Sequence, residues 1–580
     1  MPEGLPERVR VQPDVAALSR TFDYAVPETW RLDGRAARLE PGAMVRVPLH
    51  GRRVRGWVVE VDPARRDDVT LRPLARLSGL GPSADIVELA GWAAHNWAGP
   101  ISSLLGTASP PHMVEGLPTI AASGGTDAVE PRFDRLFERP RTVLRWPPAV
   151  STDPVVLAAT RRGPALVVVA SAAAAQALAG RLRRAGVPVA LHPREWARGA
   201  AGATVVGTRA AVWARLAGLS AIVVLDEHAE AHQQEQTPTW HARDVALERA
   251  RRADIPCVLV SPQPSLEALG VGDLLAPSRA EEREGWPIVE LVDRRDDPPG
   301  DRGLFSRRLV AFLRQPGRRG CVLNRKGRSR LLACRTCGEL ASCERCSAVV
   351  GQDDEGELTC RSCGETRPAI CLECGGTGFK NLRLGVDRAR EELEALLRES
   401  VGEVTAAGVE GDPESRVWIG TEAVLHQLPD AAGVAFLDMD QHLLAPRFRA
   451  REQALAMLSM AARLVGPRTA GGRILVQTRQ PDNVVLQGAL HAEPTRVSDA
   501  DRDVRKALRF PPFSTLAEIS GTASTAYVEA LGDRPGLTIV ETAADRYLLR
   551  SQEREVLLRA LRDTQRPPGR LRVAVDPARV

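Results

Sequence analysis

Residues 219–244 read LSAIVVLDEHAEAHQQEQTPTWHARD. Ala221 to Leu225 is an unbroken apolar run rich in β-branched residues, and it stops at the acidic pair Asp226–Glu227. Such a run has no solvent face. It therefore predicts a strand buried on both sides, the kind found inside a parallel sheet. Similar runs surround it. PALVVVA at 164–170 leads into the alanine-rich helix pattern AAAAQALAGRLRRAG, and PVALH, ATVVGT and IPCVLVS follow. A second set starts at GCVLNRK (320–326) and continues with EVTAAGV, VWIGTE, GVAFLDMD and GRILVQT. Strands alternating with helices predict two α/β lobes with helical crossovers. The boundaries fall at 142–300 for the first lobe, and at 301–333 with 380–480 for the second.

A chain of 580 residues divides into roughly three to five domains. Its 44% hydrophobic content supports a large core. The net charge is only +5, so any nucleic-acid surface must be local. Arginine supplies 75 of the 78 basic residues, which points to codon bias rather than phosphate binding. Lysine chemistry is confined to Lys326, Lys380 and Lys506. The start, MPEGLPERVRVQPDV, lacks the apolar core of a signal peptide, and the stretch Ala165 to Ala179 is too short to span a bilayer. These features predict a cytoplasmic protein without a membrane partner.

Two of the ten cysteines, Cys257 and Cys321, sit in strand-like runs and are expected in the core. The other eight form four C-x-x-C pairs: Cys334/Cys337, Cys343/Cys346, Cys360/Cys363 and Cys371/Cys374. Two such knuckles complete a tetrahedral thiolate site, so eight ligands predict two zinc ions in a module at 334–379. An iron–sulfur cluster is the rival, since four cysteines hold those too. The inner spacing resembles a zinc ribbon and favours a nested scheme. Cys334, Cys337, Cys371 and Cys374 then take one ion, and Cys343, Cys346, Cys360 and Cys363 the other; sequential pairing is the alternative. Arg335, Arg345 and Arg361 lie among the ligands and are placed to offset their charge.

These segments resemble the PriA family of primosomal replication-restart proteins, which are superfamily 2 helicases. The resemblance is carried by VVGTRAAVWARL (205–216), LDEH with HQQE and WHARD, the cysteine-rich insertion, VWIGTE, and FLDMDQHLLAPRFRAREQ. RTFDYAVP and VRVPLHGRRVRGWVVEV near the start, and LRFPPFS and VAVDPA near the end, complete it. It implies two RecA-like lobes with a two-zinc insertion, a β-rich domain at 1–113 that binds a DNA 3′ end, and an α+β C-terminal domain at 481–580. Phe22, Asp23 and Tyr24 match the segment lining the family's terminal-nucleotide pocket, where bulky groups stack on the base and a carboxylate accepts from the hydroxyl. Arg46, Arg52, Arg53 and Arg55 form a basic stretch suited to phosphates. Trp92 and Trp97 are expected to pack in the core. Trp240 remains from an aromatic loop that could contact a single strand. His228, His232 and His241 cluster near the acidic pair without a ligand geometry.

The motor motifs depart from the family. No lysine follows a glycine, so no G-K-[ST] occurs, and TVLRWPPAVSTDP stands where the P-loop belongs. Pro147 and Pro148 have no N–H for a phosphate. Motif II is shortened to Asp226-Glu227-His228-Ala229, and the coupling motif reads Val260-Ser261-Pro262-Gln263-Pro264. In SMAARLVG (459–466) Arg463 keeps the first arginine of motif VI, while Ser459 and Gly466 replace the glutamine and the second arginine. The stretch 114–141 is too short for the family's winged helix and reads as a linker. The chain is thus expected to bind branched DNA and 3′ ends without using ATP. Primosome proteins and the single-stranded-DNA-binding protein are its expected partners. An active 3′→5′ helicase with a non-standard ATP site, and a zinc-ribbon transcription or recombination factor, are the alternatives.

Overall fold

The computed structural model describes residues 5–579 apart from 16, 17, 19, 65–69, 121–129, 296, 298–302, 324–331, 347, 353–355, 361, 362, 382–385, 406 and 407. Lys326 and Arg361 therefore lie outside the described residues.

The N-terminal sheet holds β1 (Arg8–Pro13), β2 (Phe22–Ala25), β3 (Met44–Leu49), β4 (Arg52–Val61) and β5 (Arg76–Gly79), in the order β2-β1-β4-β3-β5. All its pairings are antiparallel. Alternation sends Val9, Val11, Val45, Val47 and Val58 into a core with Tyr24 and Trp30. Trp57 joins a different core, shared with the helices Ala84–Asn96 and Ile101–Ala108 and with the first lobe. Its Nε1 donates to Ser109 Oγ at 2.8 Å, and Trp196 of the lobe donates to the Ala108 carbonyl at 2.9 Å.

The first lobe contains β6 (Arg141–Arg145), β7 (Ala165–Val168), β8 (Val189–Leu191), β9 (Thr204–Gly207), β10 (Ala221–Leu225), β11 (Cys257–Ser261) and β12 (Asp273–Leu275). Their order is β12-β6-β11-β10-β7-β9-β8, and every pairing is parallel. β10 is central and wholly buried, as its composition requires. The second lobe uses β13 (Ile288–Asp293) and β14 (Arg319–Val322), then five more strands beyond the cysteine-rich insertion. The insertion's own strands are β15 (Leu332–Cys334), β16 (Val350–Gln352), β17 (Leu358–Cys360), β18 (Thr366–Arg367) and β19 (Phe379–Asn381). The lobe resumes with β20 (Val401–Thr405), β21 (Gly408–Glu410), β22 (Val417–Gly420), β23 (Gly433–Phe436) and β24 (Arg473–Thr478). The order β13-β24-β23-β14-β22-β20-β21 is parallel except for the β20–β21 hairpin. Both lobes are parallel α/β units. The C-terminal sheet, β25 (Thr515–Ser520), β26 (Leu537–Ala543), β27 (Arg546–Ser551) and β28 (Arg572–Val575), is antiparallel in the order β26-β27-β25-β28.

Three expected boundaries move. β13 lies within 142–300 but pairs with β24, because β12 already covers the β6 edge of the first sheet. Phe133, Leu136 and Phe137, expected in the linker, pack with Trp146 in the first-lobe core. The helix Val484–His491 and Val497 belong to the second-lobe core, so the segment from 481 does not separate until the C-terminal sheet starts at Thr515.

The lobes meet through charged side chains. Arg449 pairs with Glu267 across the boundary and with Glu452 at 3.1 Å. Gln263 Nε2 donates to the Glu452 carbonyl at 2.8 Å, and Arg505 reaches Glu452 at 2.6 Å. No helix among the described residues is long and apolar enough to cross a membrane.

Candidate functional sites

The strand β2 separates its side chains by parity. Phe22 and Tyr24 turn to the core side, where Phe22 is half-buried under the Arg20 guanidinium at 4.9 Å. Tyr24 is only 4% exposed and its hydroxyl donates to the Pro48 carbonyl at 3.3 Å. This corrects the expectation that Tyr24 offers a stacking face: it is a core residue with a satisfied hydroxyl. Asp23 points to the other face, where Arg10 Nε and Nη2 donate to its two oxygens at 2.8 and 3.3 Å. On that face the register aligns Arg46, Arg55 and Arg76 across β3, β4 and β5. Arg55 is held by Asp14 at 2.6 Å. Arg46, Arg52 and Arg53 are exposed and make no ion pair among the described residues. Sequence reasoning missed Arg10 and Arg76. The alternation of Arg10 with the buried Val9 and Val11 was the available signal for the first.

The eight knuckle cysteines gather into two groups, with ligand atoms inside each group within 4.8 Å of one another. Cys334 and Cys337 meet Cys374 and Cys371 at 3.5 and 3.6 Å. Cys343 and Cys346 meet Cys363 and Cys360, both at 3.5 Å. The nested scheme is therefore the one the fold adopts. Each knuckle closes on a backbone bond, such as Cys334 N–H to the Glu339 carbonyl and Cys371 N–H to the Gly376 carbonyl. Gly338, Gly364 and Gly375 supply the positive φ that three of the knuckles need. Within the outer group, burial raises the Cys334 thiol, but amide and thiol hydrogen bonds outweigh it and bring it down to about 6. Burial and the neighbouring thiols push Cys337 up to about 12. Four thiolates at this spacing need a divalent cation between them, and the donor set fits a tetrahedral thiophilic ion. Arg345 faces Glu365 at 3.9 Å, and Arg335 Nε donates to the Phe379 carbonyl.

The cleft between the lobes brings Arg463 of the second lobe to the acidic pair of the first. Asp226, in left-handed backbone at φ 53°, accepts from Arg463 Nη1 and Nη2 at 2.8 and 2.7 Å. Burial would raise its carboxyl, but Arg463 outweighs burial and holds it below the usual range. Glu227 is fully buried and accepts from the Ser265 amide at 2.7 Å, the Ser265 hydroxyl at 2.9 Å and Arg243 at 3.4 Å. Burial raises its carboxyl. His228 Nδ1 lies 2.8 Å from Ser261 Oγ, and burial lowers this imidazole to about 4. His232 Nε2 bonds the Leu225 carbonyl at 2.9 Å. Trp240 is 3% exposed and packs edge-on against Trp213 at 5.4 Å, so it is core and not a strand contact. In the loop after β6, the amides of Trp146, Ala149, Val150 and Asp153 donate to protein acceptors, and Pro147, Pro148 and Pro154 have none to give. The carboxylate of Asp153 also stands at the following helix N-terminus.

The family model described as a 3′ DNA-binding domain matches residues 10–110, the span of the N-terminal sheet and its two helices. Probable replication restart protein PriA of Mycobacterium tuberculosis (strain CDC 1551 / Oshkosh) is 28% identical over 580 residues, covering 88% of this chain and 86% of that one. The chain is thus similar to PriA proteins over most of its length. Replication restart protein PriA of Bacillus subtilis (strain 168) is 28% identical over 344 residues, 54% of this chain. The chain spans about half the length of such relatives: 43% of the Bacillus PriA and 49% of that of Haemophilus influenzae. Among solved structures, the E. coli DExH-box NTPase HrpB has a TM-score of 0.33 at 14% identity, covering 62% of this chain and 42% of that one. The three sites thus lie on the domain matched by the 3′ DNA-binding model, on the insertion in the second lobe, and in the cleft between the lobes.

Proposed function

We propose that this protein acts in replication restart as a DNA-binding assembly factor. It recognises branched DNA with a 3′ end and recruits the machinery that reloads the replicative helicase, without ATP-driven unwinding. Its partners on this reading are other primosome proteins and the single-stranded-DNA-binding protein. The N-terminal domain supplies the DNA contact through Asp23 for the terminal hydroxyl, and through Arg46, Arg52, Arg53 and Arg55 for phosphates. Two zinc ions fold the insertion, and zinc supplies structure there rather than reaction chemistry.

The observation that carries the reading is the occupied cleft. Arg463 of the second lobe binds Asp226 and also donates to the Pro148 carbonyl at 3.3 Å. An ATPase needs its acidic pair free for a metal–nucleotide complex and needs loop amides for phosphates. Here the carboxylates hold Arg463, Ser265 and Arg243, and four of the loop amides, those of Trp146, Ala149, Val150 and Asp153, donate within the protein. Fork-stimulated ATP hydrolysis by the purified chain is the test. Turnover no higher than that of Asp226→Asn supports the reading; robust turnover lost in that variant overturns it.

A further inference from the structure

Asp23 is the end member of a row of three charges. The register places Arg10 of β1 opposite Asp23 of β2 on one side and Glu60 of β4 on the other. Besides its two bonds to Asp23, Arg10 donates from Nη1 to Glu60 Oε2 at 2.5 Å. The side chains of Asp23 and Arg10 are 14% and 22% exposed, against 47% for Glu60, so the row runs from a sheltered carboxylate out to solvent. The three bonds use three of the five guanidinium N–H groups, and each Asp23 oxygen keeps a second acceptor position.

A fixed carboxylate acceptor thus lies directly beside cationic donors that still have N–H groups to give. A nucleotide 3′ end has the complementary pattern, a hydroxyl donor next to an anionic internucleotide phosphate. An isolated aspartate would attract the hydroxyl and repel that phosphate. Arg10 removes the conflict by screening the phosphate and by pinning both carboxylate oxygens, so that Asp23 loses no rotamer freedom on binding.

We infer that Arg10 is a positioning and specificity residue of the 3′-end site. It holds the Asp23 carboxylate for the terminal hydroxyl and gives its remaining N–H groups to the adjacent phosphate, while Glu60 orients it from β4. This rests on the DNA-end reading above. A cross-strand ion pair that only stabilised the sheet would change stability and overall affinity, but not the ability to tell one end from another.

The experiment titrates the full chain with one fork ending in 3′-hydroxyl, 3′-deoxy or 3′-phosphate, using the unmodified protein, Arg10→Met, Arg10→Gln, Arg10→Lys, Asp23→Asn and Glu60→Gln. The unmodified protein should prefer the hydroxyl by about tenfold, the worth of one hydrogen bond to a charged group. Arg10→Met should bring that preference to within about twofold, Arg10→Lys should restore part of it, and Glu60→Gln should leave most of it. Full preference in Arg10→Met, with loss in Asp23→Asn, would make Arg10 a sheet-stabilising residue and overturn the inference while the end reading stands. Equal binding of all three ends by the unmodified protein would overturn the end reading itself. If Arg10→Met does not fold, Arg10→Gln decides: it keeps a donor for Asp23 without the charge, and full preference in it counts against the inference.

Discussion

Arg463 places its two terminal nitrogens on the carboxylate of Asp226, at 2.8 and 2.7 Å, from the opposite lobe. Its Nε reaches the carbonyl of Pro148 in the loop that follows β6. One side chain therefore ties the second lobe to both the acidic motif and the proline loop of the first. In a motor these three elements face one another across a nucleotide, and the lobes open and close as it is exchanged. Here they are joined directly, and Arg449–Glu267 and Gln263–Glu452 tie the lobes together at further points.

Arg463→Ala and Asp226→Ala should each destabilise the lobe interface by about 1–2 kcal/mol, the low end for a bidentate pair that is partly solvated. The double variant should be less destabilised than the sum, with a coupling of about 1 kcal/mol in thermal or denaturant unfolding. Because the Asp226 carboxyl is held below its ordinary value of 3.8, this contribution is present above that pH and is lost as the pH falls through the lowered value. Additive effects in the double variant would show that the two side chains do not stabilise one another.

Metal analysis should find two zinc ions per chain. Cys343→Ser should release the inner ion and Cys371→Ser the outer one, each leaving the other site largely filled, because the two groups share no ligand. Chelation should unfold the insertion, since structural zinc is worth about 10 kcal/mol or more in small modules. One ion per chain, or iron, would contradict this.

How much of this was legible in the sequence depended on whether the signal was local. β10 could be read because a strand buried on both faces must be apolar throughout. The knuckles could be read because C-x-x-C spacing is itself the ligand geometry. β13 could not, since nothing in IVELVD says which sheet edge is vacant. Tyr24 was misjudged because its match to a pocket segment outweighed the period-2 pattern that turns it to the core beside Phe22. Arg10 was overlooked because its partners lie 13 and 50 residues away and only strand register brings them together. The charged pairs between the lobes were invisible for the same reason. In a chain with 75 arginines, no single arginine stands out.

The arginines of the N-terminal sheet should not contribute equally to DNA binding. Arg46 and Arg53 make no ion pair among the described residues, whereas Arg55 must give up Asp14 to meet a phosphate. The double change Arg46→Ala with Arg53→Ala should weaken all forks alike and reduce the salt slope by about 2, close to one for each phosphate left without its arginine. Arg55→Ala should shift both quantities less. Measuring affinity from low to moderate salt separates the cases, and an unchanged slope in the double variant would remove this face from the DNA path.

Asp438 gives a pH dependence of the opposite sign to Asp226. Burial and the neighbouring Asp440 push its carboxyl up to about 7, against an ordinary value of 3.8, although Gln441 donates to it at 2.6 Å. A raised carboxyl means that the folded chain binds a proton which the unfolded chain has released. Stability from this group is therefore fully present below about pH 4 and declines progressively as the pH rises to about 7, then stays low. Replacing Asp438 with Asn keeps an oxygen for Gln441 and removes the charge. The variant should match the unmodified protein near pH 4 and be more stable by about 2–4 kcal/mol at pH 8, the size expected for a shift of this order. Denaturant unfolding of both proteins across that range is the measurement. A stability difference that is flat with pH would mean that Asp438 titrates alike in the folded and unfolded chain, with Arg479, which also acts on this carboxyl, offsetting burial. A difference that grows towards acid would reverse the sign and show that the folded state favours the charged form.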